Sequence, residues 1–447
     1  MTRVDQQLPN LPRYTSYPTA PHFSRHQARE AHARLCSSIQ PGEPVSVYVH
    51  VPFCDRLCWF CGCHTKHTLK YEPVARYMDV VVDEIGQFAD RMGFRPTLGA
   101  LHLGGGSPSM MRPAEAEKLR QAIEAAFEVP ADVEVSVEVD PNDACDEMYE
   151  ALAALGMNRA SLGVQDFDEK VQKAINRPQG FEETALLVKN LRKSGIGSLN
   201  IDALYGLPFQ TAASIAKTVK QVLSLDPDRI ALFGYAHVPS VKKHQNMIDT
   251  KTLPDDAERI EQSRIAREII LKAGYEAIGI DHFAVKADGL AIAKRNRKLR
   301  RNFQGYTTDT ARVLLGFGAS SISSCEDAYL QNTVATNSYT RQVSEQASVA
   351  ERGILLSFDD QIRAFIIQSL MCNFMLDTRE LELKHGELAA PYLDEIRAVA
   401  LDDEDGICRM NGDNFEIVPG RQEYVRVVAA RFDAYLGSGA SGYSKAI

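Results

Sequence analysis

The rhythm of strand and helix constrains this chain more than any other feature. Short β-branched or apolar runs recur at 45–51 ("VSVYVHV"), 99–103 ("GALHL"), 133–139 ("VEVSVEV"), 159–164 ("RASLGV"), 198–205 ("SLNIDALY") and 229–235 ("RIALFGY"). Longer stretches of helical periodicity follow, such as "VARYMDVVVDEIGQFADRM" after the first and "PAEAEKLRQAIEAAFE" after the second. Such alternation predicts an α/β fold, a parallel sheet wrapped by helices. Six units suit a partial (β/α)6 TIM-like barrel, and "YEAIGID" (275–281) offers a further strand. Beyond about Gly318 the strand rhythm is expected to stop. From about Ser348, "DDQIRAFIIQSLMC", "LAAPYLDEIRAVALDD" and "QEYVRVVAARFDAYL" read as helices, with a hairpin turning at Asn411-Gly412. The expected organisation is an N-terminal extension over 1–40, a catalytic barrel over 41–325 and a mostly helical C-terminal domain over 346–447. Within the extension, the Pro-punctuated "PNLPRYTSYPTAP" precedes a short helix at about 25–39.

Bulk properties narrow the function. At 447 residues the chain can build two or three domains. A net charge of −9 argues against a general nucleic-acid binder. No apolar run is long enough to span a bilayer, and the N-terminus lacks the apolar core of a signal peptide. A cytoplasmic protein without membrane insertion is therefore expected. In that compartment clustered cysteines point to metal binding or catalysis before disulfides.

The cluster is "CDRLCWFCGC", Cys54 to Cys63, directly after the first predicted strand. Its spacing is C-x3-C-x2-C-x-C. Zinc prefers two C-x2-C pairs a dozen or more residues apart, although His64 and His67 could complete a set. An iron–sulfur cluster tolerates tight spacing, because its ligands wrap one compact object. Three thiolates on a four-iron cluster leave one iron for a small molecule. Four unligated buried cysteines are the third reading.

Other motifs gather at the same end of the predicted sheet. "LHLGGGSPSM" (101–110) places three glycines after the second strand, where bare backbone can approach a ligand closely. Glu138 ends the third strand, Gln165 follows the fourth, Asp202 lies in the fifth and Ala236 follows the sixth. Singly, each is as readily a satisfied strand-end group as a ligand. Together they collect at the C-terminal face, where (β/α) barrels keep their active sites.

The cysteine motif in this setting resembles the radical S-adenosylmethionine (SAM) enzymes, whose cluster cleaves SAM to a 5′-deoxyadenosyl radical. More of the chain resembles one family within that group, the oxygen-independent coproporphyrinogen III oxidases (coproporphyrinogen dehydrogenases). The resemblance runs through "PRYTSYPTA", "YVHVPFCDRLCWFCGC", "LHLGGGSPS", "SVEVDP", "SLGVQDF", "INRPQ", "NIDALYGLP", "YAHVP", "DHFA", "RNFQGYTT" and "GFGASSIS" to "SLMCNF" near residue 375. Ser107 stands where the family usually has Thr; the hydroxyl is kept. Haem-binding chaperones built on the same barrel generally lack "RYTSYPTA", the fourth cysteine and "NFQGYTT", all present here.

The resemblance implies an oxidoreductase of porphyrin and haem biosynthesis, which converts two propionates of coproporphyrinogen III to vinyl groups. It implies a [4Fe-4S] cluster on Cys54, Cys58 and Cys61; Cys63 as a fourth ligand would occupy the iron left for SAM, so it is expected to be catalytic instead. It implies two SAM molecules, one against Tyr48, Gly105, Glu138 and Ile322. The other would meet Phe60, Gly106, Ser107, Gln165, Arg177, Asp202 and Ala236. Arg177 suits a methionine carboxylate through two parallel hydrogen bonds. A reductant, an electron acceptor and a monomeric enzyme complete the expectation. "KRNRKLRR" (294–301) reads first as a solvated run, with an arginine or two within reach of a propionate.

Overall fold

The computed structural model describes residues 9–437. The outermost parts of the expected extension and C-terminal domain, 1–8 and 438–447, lie outside the described residues. All six anticipated strands form: β1 (Pro44–Val51), β2 (Thr97–Gly105), β3 (Glu134–Val139), β4 (Arg159–Gln165), β5 (Ser198–Tyr205) and β6 (Arg229–Gly234). They pair in parallel in chain order. The 275–281 run contributes a short strand, β7 (Glu276–Ile278), in an antiparallel hairpin with β8 (His282–Ala284), which pairs with β6.

The strand rhythm does not stop near Gly318. β9 (Val313–Phe317) joins β1 in parallel, and β10 (Ile322–Cys325), β11 (Ala328–Asn332) and β12 (Ala350–Leu355) extend the sheet as an antiparallel meander. The twelve strands run β12-β11-β10-β9-β1-β2-β3-β4-β5-β6-β8-β7, an open order, hence a partial barrel. Sequences such as "ISSC" and "AYLQN" are short and carry polar residues, so their apolar signal falls below that of the central strands. The free edge is guarded. Ser24 and Gly353 exchange backbone hydrogen bonds, both 2.8 Å. Helix α1 (Ala28–Ser37) presses Ala31 so close to Gly353 that a Cβ there would lie 2.7 Å away.

Helices between the parallel strands bury one stripe each. In α2 (Glu72–Met92), Val74, Tyr77, Met78, Val81, Ile85 and Phe88 recur at helical spacing and are buried, and Gly93 ends the helix at φ 69°. Each such side chain contributes about 1.5–3 kcal/mol on leaving water. A second core gathers α3 (Phe358–Asn373) with the helix Ala390–Leu401 and the hairpin Cys408–Asn411/Asn414–Ile417, which turns at Gly412-Asp413, one residue past the expected position. Tyr14 and Tyr17 from the N-terminal segment pack into this core. Arg426 donates to the carbonyls of Leu11 and Pro12, and Tyr14 donates to Asp433 at 3.0 Å. No helix among the described residues is long and apolar enough to cross a membrane.

Candidate active site

The cysteine loop leaves β1 at Val51 and has little regular structure of its own, so its backbone groups find partners elsewhere. The glycine turn after β2 holds its start: Gly106 N–H donates to Val51 at 2.8 Å and Ser107 N–H to Phe53 at 2.7 Å. A Cβ on Gly106 would sit 2.5 Å from the Phe53 carbonyl, and one on Gly105, at φ 116°, 2.4 Å from the His50 ring. These glycines are required by the close passage of the two segments.

Two more segments grip the loop from opposite sides. In "INRP", the Ile175 carbonyl accepts from Trp59 N–H at 2.9 Å, and Asn176 donates to Leu57 at 2.9 Å. Arg177 Nη1 reaches Cys58 Sγ at 3.4 Å. After β6, Lys242 Nζ donates to the Cys63 carbonyl at 2.9 Å, and His244 Nε2 lies 2.8 Å from that of Cys61. The fully buried Gln245 donates to Phe60 at 3.1 Å and Ala236 at 3.0 Å, and accepts from Val238 N–H. The sequence reading missed this second grip. Only the adjacency of several polar side chains in "KKHQ" hinted at it.

The loop closes over a cavity of about 200 Å³ at the C-terminal ends of the strands. Eleven of the expected site residues line it: Cys54, Cys58, Phe60, Cys61 and Cys63 from the loop, Gly105 and Gly106 from the turn, then Glu138, Gln165, Arg177 and Asp202. Four others lie outside its lining. Tyr48 stands beside it, stacked on His102 at 5.8 Å, with its hydroxyl 3.0 Å from His50 Nδ1. Ser107 is buried behind the turn, donating to Asp143. Ala236 contributes a carbonyl to Gln245, and Ile322 of β10 backs onto Gly316 of β9. Asp140, His50 and His102 were not anticipated. The period-two placement of Tyr48 and His50 on β1, with His102 on β2, was the available signal.

Electrostatics divide the lining. Burial pushes the Cys54 thiol up, and the neighbouring Cys61 and Cys58 add to the shift. Burial also raises Cys58, opposed by Arg177. Cys61 is lowered to about 7, chiefly by a hydrogen bond from the Cys63 thiol and also by the Cys63 N–H at 3.4 Å. Cys63 is raised in turn by that hydrogen bond and charge; it is open to the cavity while walled by protein. Glu138 resists burial because His102, 3.6 Å away, and Gly105 N–H, at 2.9 Å, hold its carboxylate below the usual range. Asp202 is supported less strongly. Burial and the nearby Glu138 raise it to about 6, with Asn200 donating at 2.7 Å. Gln165 adopts φ 69° at a register shift in β4, which turns its side chain into the cavity edge.

Arg177 is partly committed: Nη1 bonds Asp140 at 3.0 Å and Nη2 the Gly163 carbonyl at 2.5 Å, while Nε is buried without a hydrogen-bond partner. The residues suit the implied groups. Among the described residues no three His, Cys, Asp or Glu side chains converge as a single ion requires. Cysteines standing around one cavity fit the larger iron–sulfur cluster better than zinc. The orphaned Arg177 Nε and the carboxylates of Glu138 and Asp202 suit a ligand carrying both an anionic and a cationic group.

Comparison with known proteins agrees. The model of the Radical SAM superfamily matches residues 48–222. The oxygen-independent coproporphyrinogen III oxidase of Bradyrhizobium diazoefficiens is 44% identical over 98% of this chain and 97% of its own length. That of Escherichia coli is 38% identical over 95% and 93%. A solved structure of coproporphyrinogen III oxidase from Escherichia coli, described as a radical SAM enzyme, superposes with a TM-score of 0.90, covering 95% of this chain and 97% of that one. With resemblance at this level along nearly the whole length, the chain belongs to the oxygen-independent coproporphyrinogen III oxidase family of radical SAM proteins.

Proposed function

We propose that this protein oxidatively decarboxylates two propionate side chains of coproporphyrinogen III to vinyl groups, giving protoporphyrinogen IX in haem biosynthesis. The observation that carries this reading is the convergence of the cysteine loop, the glycine turn, Glu138, Arg177 and Asp202 on one cavity, in a chain similar to such oxidases end to end. When bound, a [4Fe-4S] cluster and SAM supply a carbon radical able to take hydrogen from an unactivated C–H bond, which no protein base can deprotonate.

The protein's own part is binding, orientation and exclusion of water. Cys54, Cys58 and Cys61 would hold the cluster, with Arg177 against Cys58 and Lys242 near Cys61 favouring thiolate charge. Glu138, kept ionised by His102 and Gly105, suits the amino group of SAM. Asp202 and Gln165 suit ribose hydroxyls, Phe60 a base, and Arg177 Nε a carboxylate. Two SAM sites, with Tyr48 and Ile322 at the first and Ser107 and Ala236 at the second, follow from the family resemblance. Cys63 opens to the cavity beside Glu138 and acts on the reacting region without ligating iron. The N-terminal segment packs into the C-terminal core, and the two together would keep solvent from the reacting region. A reductant and an electron acceptor come from outside a monomeric chain.

Anaerobic incubation with coproporphyrinogen III, SAM and a reductant tests the reading. Protoporphyrinogen IX, carbon dioxide and 5′-deoxyadenosine are expected; binding of haem without turnover would assign the chain to a carrier role instead.

A further inference from the structure

The basic run at 294–301 divides once folded. Lys294 donates to the Ala277 carbonyl at 2.7 Å, Arg295 pairs with Glu276 at 2.7 Å, and Arg297, Lys298 and Arg300 are exposed. Arg301 goes inward, its side chain only 4% exposed. It lies over the Tyr306 ring at 4.6 Å, and Nη2 makes a long 3.3 Å bond to the Arg13 carbonyl. Its Nε and Nη1 are buried and have no hydrogen-bond partner. Asp281 Oδ1 is 3.9 Å from Nη1, beyond hydrogen-bond reach, and already engages His282 Nδ1 at 2.6 Å.

Arg301 is one of a group. Arg13 and Arg426 stand close enough for mutual repulsion, and Asp281 is the carboxylate common to all three. Arg13 reaches the Gly234 carbonyl at 2.8 Å, and Arg426 holds Leu11 and Pro12. Glu423 borders the same cavity as Arg13 and Arg426, but it sits with Arg267. Asp281 is thus shared, and Arg301 reaches it only at 3.9 Å, so the buried Arg301 carries a charge that neutral carbonyls do not cancel. A water could satisfy an N–H here, yet it would leave that charge in place.

Arg301 also borders a cavity of about 230 Å³ with Tyr14, Asn302, Phe303 and Tyr329. Asp309, on its wall, accepts from Ser46 of β1. Ser46, Tyr48 and His50 alternate on one face of β1, so Ser46 stands about 13 Å along the strand from His50, which abuts the glycine turn. The cationic cavity and the cysteine cavity thus lie along one inner face of the sheet.

We propose that Arg301 anchors a carboxylate arm of the substrate, a specificity-determining contact set in the positive field of Arg13 and Arg426. This rests on the proposed function, since a porphyrinogen carrying four propionates is the anion in question. The arm that Arg301 grips is held at a distance from the cysteines, leaving another arm of the macrocycle to reach them.

Binding of coproporphyrin III, the oxidised and unreactive macrocycle with four carboxylates, is compared with mesoporphyrin, which has two, on the iron-loaded enzyme. Wild type is expected to prefer the four-carboxylate ligand by tenfold or more. Arg301→Gln is expected to weaken coproporphyrin III at least tenfold and to narrow that preference, with iron content reporting its folding. Lys298→Gln, on the exposed run and outside this cavity, is expected to change binding less than threefold. An undiminished preference in iron-loaded Arg301→Gln overturns the proposal. If that variant does not fold, Arg301→Lys keeps the charge without the planar grip, and an undiminished preference there overturns it equally. Absence of any preference in wild type overturns it without a variant. Porphyrin binding is read separately from turnover. Preserved turnover with an unmoved preference sinks Arg301 alone, and absent turnover with a preference that Arg301→Gln narrows sinks the oxidase reading alone.

Discussion

Cys61 and Cys63 show how two identical side chains, two residues apart, take different roles. The Cys63 N–H donates to Cys61 Sγ at 3.4 Å, which favours thiolate on Cys61, and no such bond reaches Cys63 Sγ among the hydrogen bonds of the described residues. Serine at Cys54, Cys58 or Cys61 is therefore expected to cost most of the bound iron, measured by metal analysis after anaerobic reconstitution. Cys63→Ser should keep its iron and lose turnover; equal iron loss in all four variants would end the three-to-one division. Asp202 brings a pH dependence. With its carboxyl raised to about 6, it is ionised above that pH and protonated below, and ionised carboxylate is the better acceptor for a ribose hydroxyl. SAM affinity should then fall about tenfold from pH 7 to pH 5, and Asp202→Asn should flatten the profile. Titration calorimetry at the two pH values checks this. The residue types at these strand ends were legible in the sequence, because barrel geometry gathers such ends. That Arg177 would spend its Nη atoms on Asp140 and Gly163 was not, since the pairing depends on a partner 37 positions away.

Among elements, the cysteine loop is ordered by its neighbours. Gln245 alone makes three hydrogen bonds from a fully buried position, two of them to Phe60 and Ala236 carbonyls. At about 1 kcal/mol each, with a further penalty for carbonyls left unpaired, Gln245→Ala should cost about 2–4 kcal/mol, concentrated in the loop. The expected result is faster loss of iron to a chelator, with global melting shifted little; chelation at the wild-type rate would show the loop to be held by its other contacts. The central strands were legible because one face packs beneath the helices and repeats apolar residues at period two, as in "VEVSVEV". The antiparallel strands from β10 to β12 were not, because they are short, polar in part and interrupted by the helix Thr336–Ser344. Loop donors such as Lys242 and His244 leave no periodic trace at all.

Across the whole molecule, the N-terminal segment meets the C-terminal core. Tyr14 and Tyr17 are buried in the C-terminal core, and the Ala434 N–H donates to the Tyr17 hydroxyl at 3.0 Å. Truncating a buried aromatic of this size removes about 3–5 kcal/mol, so Tyr14→Ala should open the C-terminal helices to proteolysis before the sheet yields. Mass mapping of early cleavage sites distinguishes this from uniform destabilisation. The join was invisible in sequence: "PRYTSYPTA" carries turn residues, and nothing in it names the partner more than 400 positions away.

The double grip on the cysteine loop sets an order of events during synthesis. Cys54 to Cys63 leave the ribosome early, but the groups that shape them come from 175–177 and 242–245. A nascent chain that has not yet delivered residue 245 holds its four thiols from one side only. Cluster delivery must therefore wait until more than half the polypeptide has emerged. Chains ended before 237 should take up iron poorly however much sulfide is supplied, and those ended past β8 should begin to retain it.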